Sequence, residues 1–340
     1  MRGKTAAPVI AVTIGDPAGV GPEIVARFFA GFEPAGSTAL VIGSSGALEP
    51  WARRFGWKVN AVARGEHLFD ALRERRGTVL VLDNGCRARV RVGKHSRNGG
   101  RHAGTSVELA CRLANTHVVD AIVTAPISKK SLNLAGYEYT GHTEMLADRL
   151  KSQTCEMMMV CKKLRVVPLT RHLPLREVSA HVTRRDTVKC IMTVDDALRT
   201  LFGIRRPRIA VAALNPHAGD EGLLGREEIT VLRPAIDAAR ARGANVTGPL
   251  PGDVVFQSVY GDEYDAFIAT YHDQGLIPFK MIARGRGVNV TIGLPVVRTS
   301  VDHGTAFDIA GKGIASTASL AEAYRLAERL SKRRKKAIRS

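Results

Sequence analysis

The sequence predicts an α/β protein of about two domains, and three observations lead to it. Strand-like apolar runs alternate with helix-like segments along the chain. The run Ile209 to Leu214 is apolar at all six positions, as in a strand covered on both faces. The strand-like runs give way abruptly to short polar turns, which a parallel sheet gathers at its carboxyl edge, where such folds bind ligands. At 340 residues the chain can bury a substantial core.

In chain order, Val9 to Ile14 reads as a strand ending at Gly15-Asp16-Pro17-Ala18-Gly19-Val20-Gly21-Pro22-Glu23, with a helix following through Phe29. Pro22 suits that helix's first turn, where its missing N–H costs nothing. Ala39 to Ile42 and Val79 to Leu82 are further short buried strands. Gly93 to Gly104 reads as a glycine-rich surface loop or flap, and Val107 to Leu113 as helix. Ala121 to Val123 is a strand running into Thr124-Ala125-Pro126, and Thr140 to Leu150 contains a helix start. Met157 to Cys161 and Leu164 to Leu169 form a hairpin about Lys162-Lys163. Arg184 to Phe202 and Arg226 to Arg242 are helical, Tyr264 to Thr270 and Val288 to Ile292 are strands, and Ala318 to Leu330 is a closing helix. Val288 to Ala315 reads as a long ligand-wrapping segment.

Composition narrows the function. Hydrophobic content of 45% and charged content of 24% are those of a globular protein. No apolar run is long enough to span a membrane, and the N-terminus leads directly into a strand without a signal segment, which places the protein in the cytoplasm. The five scattered cysteines form no C-x-x-C pair and read as reduced thiols. Of the net charge of +18, six basic residues lie in Ser331 to Ser340, a frayed basic tail. No aromatic-interleaved basic stripe accompanies it, so a basic surface for anionic small substrates is preferred over nucleic-acid binding.

Three histidines share one context. His172, His217 and His272 each fall in a polar segment just past an apolar run, 45 and 55 residues apart. Neutral imidazoles suit zinc and other borderline divalent ions, and three ligands leave catalytic positions open. The alternative is that they are hydrogen-bonded loop or cap residues. Gly15 to Gly21 is either a phosphate cradle or a tight structural turn. Arg298 and Lys280 are either anion clamps or surface cations.

Taken together these motifs resemble the 4-hydroxythreonine-4-phosphate dehydrogenase family of pyridoxal phosphate biosynthesis. The matching pieces are T-I-G-D-P-A-G-V-G-P-E (Thr13–Glu23), G-H-T-E (Gly141–Glu144), H-L-P-L-R (His172–Arg176), N-P-H-A-G (Asn215–Gly219), G-P-L-P-G-D (Gly248–Asp253), Y-H-D-Q-G (Tyr271–Gly275) and the Asn289 to Ala315 segment. The resemblance implies an isocitrate/isopropylmalate-dehydrogenase-like fold, two α/β domains flanking a cleft. One would comprise residues 1–137 and 283–330 with the NAD loop; the other, residues 138–282, would carry the histidines and the dimer interface, and 331–340 would be the tail. It implies a homodimer with a divalent metal (zinc, magnesium or cobalt) held by His172, His217 and His272 at the subunit interface. Substrate contacts fall on His142, Thr143, Lys280, Asn289 and Arg298. The run Asp302 to Gly313 is similar to the adenine-side loop of related decarboxylating dehydrogenases, which implies NAD, with NADP open, against His303, Gly304 and Asp308.

The implied reaction is NAD-linked oxidation of 4-phosphooxy-L-threonine at the alcohol beta to its carboxylate, with loss of CO2 to give 3-amino-2-oxopropyl phosphate. Asp253 and Asp273 are candidates to orient an imidazole or move a proton. One departure is Val254, where the family pattern has Thr. The alternatives are a D-threonate or D-erythronate 4-phosphate dehydrogenase and, from another class, a phosphate acyltransferase-like enzyme of similar fold, which predicts neither NAD reduction nor a need for metal.

Overall fold

The computed structural model describes residues 7–62, 66–74 and 77–337. The elements in order are β1 (Val9–Thr13), α1 (Gly21–Ala30), β2 (Thr38–Gly43), α2 (Ser45–Phe55), β3 (Ala61–Val62), α3 (Glu66–Glu74), β4 (Val79–Asp83), α4 (Arg97–Asn115), β5 (Ala121–Thr124), α5 (Lys129–Leu134) and α6 (His142–Arg149). Then come β6 (Glu156–Cys161), β7 (Leu164–Pro168), α7 (Val178–His181), α8 (Arg184–Thr200), β8 (Ile209–Ala212), α9 (Arg233–Ala241), β9 (Val246–Leu250), β10 (Ala266–Ala269), α10 (His272–Ala283), β11 (Val288–Ile292), β12 (Val297–Val301) and α11 (Ala318–Ala337). The alternation of strands and helices is the expected α/β class. No described helix is long and apolar enough to cross a membrane.

The chain forms two compact units, Met1–Gln153 with Leu294–Ser340, and Thr154–Gly293. In the first, six parallel strands run in the order β3-β4-β2-β1-β5-β12. The order reverses between β1 and β5, the switch point at which open α/β sheets leave room for a ligand. Strands β1, β2 and β5 are buried at almost every position, which is why they read as unbroken apolar runs. In the second, the order is β11-β6-β7-β10-β8-β9. The β6–β7 hairpin is antiparallel, as is the β11–β6 pair, whereas β7, β10, β8 and β9 run parallel. Lys162 at the hairpin tip takes a left-handed φ of 53°.

Four expectations need correction. The Gly93 to Gly104 stretch is mostly helix: Ser96 caps α4 by accepting from Gly99 N at 3.0 Å. Its glycines serve close approach rather than looseness, because a Cβ at Gly99, Gly100 or Gly104 would strike Asp16, the Ser131 carbonyl or the Tyr137 ring. The Val288 to Ala315 segment contains β12, whose apolar run is interrupted in sequence by the buried Arg298. His272 does not sit in a loop but opens α10. The basic tail is helical as far as Ala337, with Lys335 paired to Asp120 at 2.7 Å.

Candidate active site

The sheet of the second unit explains the three histidines. β7, β10 and β8 are parallel neighbours in that order, so their carboxyl ends deliver His172, His272 and His217 to one edge in the same order. The His172 and His272 rings lie 5.8 Å apart between centroids and are tilted by 43°. Asp273 Oδ1 lies 2.7 Å from His272 Nδ1, which fixes the ring and leaves Nε2 for a ligand. Among the described residues no group of three or more His, Cys, Asp or Glu side chains comes together as a metal site. The described His172 and His272 are neighbours, and His217 does not join them in such a group within one chain. His217 is exposed.

His217 begins a turn of unusual hand. Residues 217 to 221 all have left-handed φ, between 43° and 83°. Only Gly219 adopts that conformation freely, and each of the others costs about 1–2 kcal/mol. The turn is backed by Glu228, fully buried in a π turn over Glu228–Leu232. Its Oε1 accepts from Leu214 N at 2.8 Å and Asn215 N at 2.7 Å, and its Oε2 accepts from Asn215 Nδ2 at 3.0 Å. Asp220 and Glu221 are exposed. Backbone strain of this kind collects at functional sites.

A second device ties the three strand ends together. Gln274 Oε1 accepts from Thr270 N at 2.7 Å and Thr270 Oγ1 at 2.9 Å, while its Nε2 donates to the Ala213 carbonyl at 2.7 Å. Thr170 Oγ1 donates to the Thr270 carbonyl at 2.7 Å. These bonds link the residues just past β7, β10 and β8. Gln274 and Glu228 are not singled out by the sequence, because their partners are mainly backbone groups that leave no trace in residue type. Gln274→Leu is expected to destabilise the protein by about 2–4 kcal/mol by leaving buried backbone groups unpaired, read from denaturant melts.

The other predicted residues fall as follows. Lys280 is exposed on α10, about two turns and 12 Å beyond His272. Asn289 on β11 keeps its side-chain oxygen buried without a hydrogen-bond partner among the described residues, an acceptor waiting for a donor. Asp253 is exposed, and its carboxylate bonds no described residue.

In the first unit, Arg298 on β12 is only 2% exposed and donates from Nη2 to Thr124 Oγ1 at 2.8 Å, at the end of β5. His142 and Thr143 form the first turn of α6, whose N–H groups favour an anion. Burial, and secondly the Arg298 charge, hold the His142 imidazole well below its usual range, so it stays neutral. Its Nε2 is buried without a partner among the described residues. The unfolded chain takes up a proton at about pH 6.5 that the folded chain refuses. Stability is thus expected to fall as pH drops below about 6.5, and His142→Asn to flatten that fall in melts between pH 7 and 5.

His303, Gly304 and Asp308 are exposed in the loop after β12, and His303 Nδ1 lies 3.0 Å from the Gly304 carbonyl. A Cβ on Gly304 would meet open space. The loop itself is anchored through other residues. The glycine motif after β1 is a structural seat: Asp16 N donates to the Pro126 carbonyl at 3.0 Å, and Val20 N to the Thr305 carbonyl at 3.0 Å. Gly15, Gly19 and Gly21 each press against backbone that a Cβ would strike.

Comparison with known proteins agrees with the α/β fold. The family model described as pyridoxal phosphate biosynthetic protein PdxA matches residues 35–327. A 4-hydroxythreonine-4-phosphate dehydrogenase of Desulforapulum autotrophicum is 40% identical, with 94% of each chain covered. A protein of Bradyrhizobium diazoefficiens, provisionally named D-threonate 4-phosphate dehydrogenase, is 43% identical over 94% of this chain and 96% of its own. The crystal structure of 4-hydroxythreonine-4-phosphate dehydrogenase from Klebsiella pneumoniae superposes with a TM-score of 0.86 at 38% identity, covering 96% of this chain and 99% of the other. By sequence and by structure, then, the chain belongs to the PdxA family of pyridoxal phosphate biosynthetic proteins.

Proposed function

We propose that the protein is a cytoplasmic, metal-dependent, nicotinamide-linked dehydrogenase that oxidises 4-phosphooxy-L-threonine and releases CO2, giving 3-amino-2-oxopropyl phosphate. The observation that carries this reading is the delivery of three imidazoles to one sheet edge by three adjacent parallel strands. His172, His217 and His272 would hold a divalent ion such as zinc, and such an ion supplies Lewis acidity for negative charge on oxygen. A nicotinamide, NAD in this proposal, would supply the hydride-accepting chemistry.

The chain's own groups do the rest. Arg298 presents a planar fork to a phosphate or carboxylate, and its burial strengthens that attraction by excluding water. Neutral His142 donates or accepts one hydrogen bond without carrying charge, and Thr143 adds the first-turn N–H groups of α6. Lys280 and Asn289 supply a mobile cation and an unsatisfied amide. Asp273 holds His272 in orientation, and Asp253, exposed and without a described partner, takes the alcohol proton.

The third imidazole joins through a homodimer. Tyr260 is 85% exposed and Met281 73%, and Leu175, Leu223, Val254 and Ile277 are exposed with them. All lie in segments that follow β7, β8, β9 and β10, beside the histidine segments. Apolar surface of this kind marks an interface, here with a second copy.

Carboxyl-labelled 4-phosphooxy-L-threonine tests the reaction: label should leave as CO2 in step with NADH formation, and a product that retains the label would sink the reading. A second reading, a D-threonate 4-phosphate dehydrogenase, is favoured by the names of two relatives at 43% and 42% identity. It keeps the same groups and changes only what occupies the carbon beside the carboxylate.

A further inference from the structure

The loop of residues 302–315 is seated by a buried carboxylate that has no part in the reaction as described. Glu23, in the first turn of α1, has no exposed surface. Its Oε1 accepts from Ala315 N at 2.7 Å and its Oε2 from Gly313 N at 3.2 Å. Arg27 Nη1 donates to the Ala315 carbonyl at 3.0 Å, and Arg54 Nη2 to the Lys312 carbonyl at 3.1 Å. At the loop's other end, Thr305 is held by Val20 N, and Gly19 lets it approach: a Cβ there would lie 2.8 Å from the Thr305 oxygen. The His95 ring meets the Phe307 ring edge-on at 4.7 Å. The loop is thus pinned before and after the exposed Asp308, while His303 and Gly304 stand free of the pins.

Ordering such a loop costs conformational entropy, a cost that a preformed loop does not add to ligand binding. A carboxylate is the fitting clamp, because it can accept from two backbone N–H groups at once through charge-assisted bonds. We infer that Glu23 is a positioning residue for the dinucleotide: through Gly313 and Ala315 it holds the 302–315 loop in the shape that receives the cofactor. This deepens the dehydrogenase reading and rests on it. It also gives the G-V-G-P-E stretch a role. Gly19 and Gly21 allow the close contacts, Pro22 starts the helix, and Glu23 reaches the loop.

The test uses the full-length protein as wild type, Glu23→Gln, Glu23→Ala and Arg54→Ala, with NADH as probe. Binding is followed by nicotinamide fluorescence, and the loop by amide hydrogen exchange at Gly313 and Ala315. Glu23→Ala should weaken NADH binding by about tenfold or more and speed both exchanges. At saturating cofactor kcat should stay within about twofold, so that the loss falls on KM for the dinucleotide. Glu23→Gln, which keeps one acceptor, should recover part of the affinity, and Arg54→Ala, a surface change, should shift both readouts in the same direction by less. Unchanged NADH affinity in folded Glu23→Ala overturns the inference. If Glu23→Ala does not fold, unchanged affinity in both Glu23→Gln and Arg54→Ala overturns it equally. Failure of the wild type to bind NADH overturns the dehydrogenase reading and this inference with it, whereas wild-type binding with insensitive variants overturns the inference alone.

Discussion

Replacing His272 by alanine is expected to lower turnover by about 10³ or more and to remove bound divalent ion from the purified protein. The magnitude follows from losing several kcal/mol of charge stabilisation at the reacting oxygen. His172→Ala and His217→Ala should behave alike, because each would remove one of only three protein ligands. Asp273→Asn provides the graded control. Its side chain can still meet His272 Nδ1, so ion affinity should fall by about 10- to 100-fold while turnover at saturating ion persists. Metal analysis beside initial rates reads both. Three alanine variants that kept metal and rate would remove the histidines from the chemistry.

Arg298→Ala should be the most damaging change in the first unit. The guanidinium is 2% exposed and bonded to Thr124 at the end of β5, so its position is fixed before any anion arrives. Truncating one partner of a buried charge-assisted contact costs about 2–5 kcal/mol, which predicts a loss in kcat/KM of at least roughly 30-fold. Arg298→Lys should recover little, since an ammonium cannot reproduce the planar fork. A steady-state comparison of the two variants, with thermal melts to separate folding from binding, checks this. Full activity in Arg298→Lys would mean that Arg298 acts as a bulk charge and does not grip an anion.

Much of the architecture was legible because buried parallel strands leave a plain mark. β1, β2, β4, β5, β8 and β10 are apolar almost throughout, and the turns after them name the carboxyl edge. β12 was hidden because Arg298 and Thr299 break its apolar run, and both are buried for reasons of bonding rather than hydrophobicity. The start of α4 was hidden by its own glycines, which read as looseness and serve contact with Asp16, Ser131 and Tyr137. The histidines were legible by context, but their left-to-right order on the sheet edge required the strand order. Glu23, Glu228 and Gln274 carried no signal that separates a buried clamp from an ordinary surface acid or amide. Their partners are mainly backbone N–H and carbonyl groups, and those leave no trace in the residue types.

The proposed activity couples nicotinamide reduction to a divalent ion and a 4-phosphorylated hydroxy acid. The most direct measurement is the initial rate of NADH formation with 4-phosphooxy-L-threonine, D-threonate 4-phosphate and D-erythronate 4-phosphate, each with and without chelator. The account predicts NADH formation that is highest with 4-phosphooxy-L-threonine, is abolished by chelator and returns when divalent ion is restored. No NADH from any of the three in the presence of added zinc, magnesium or cobalt, or a rate indifferent to chelator, would contradict it.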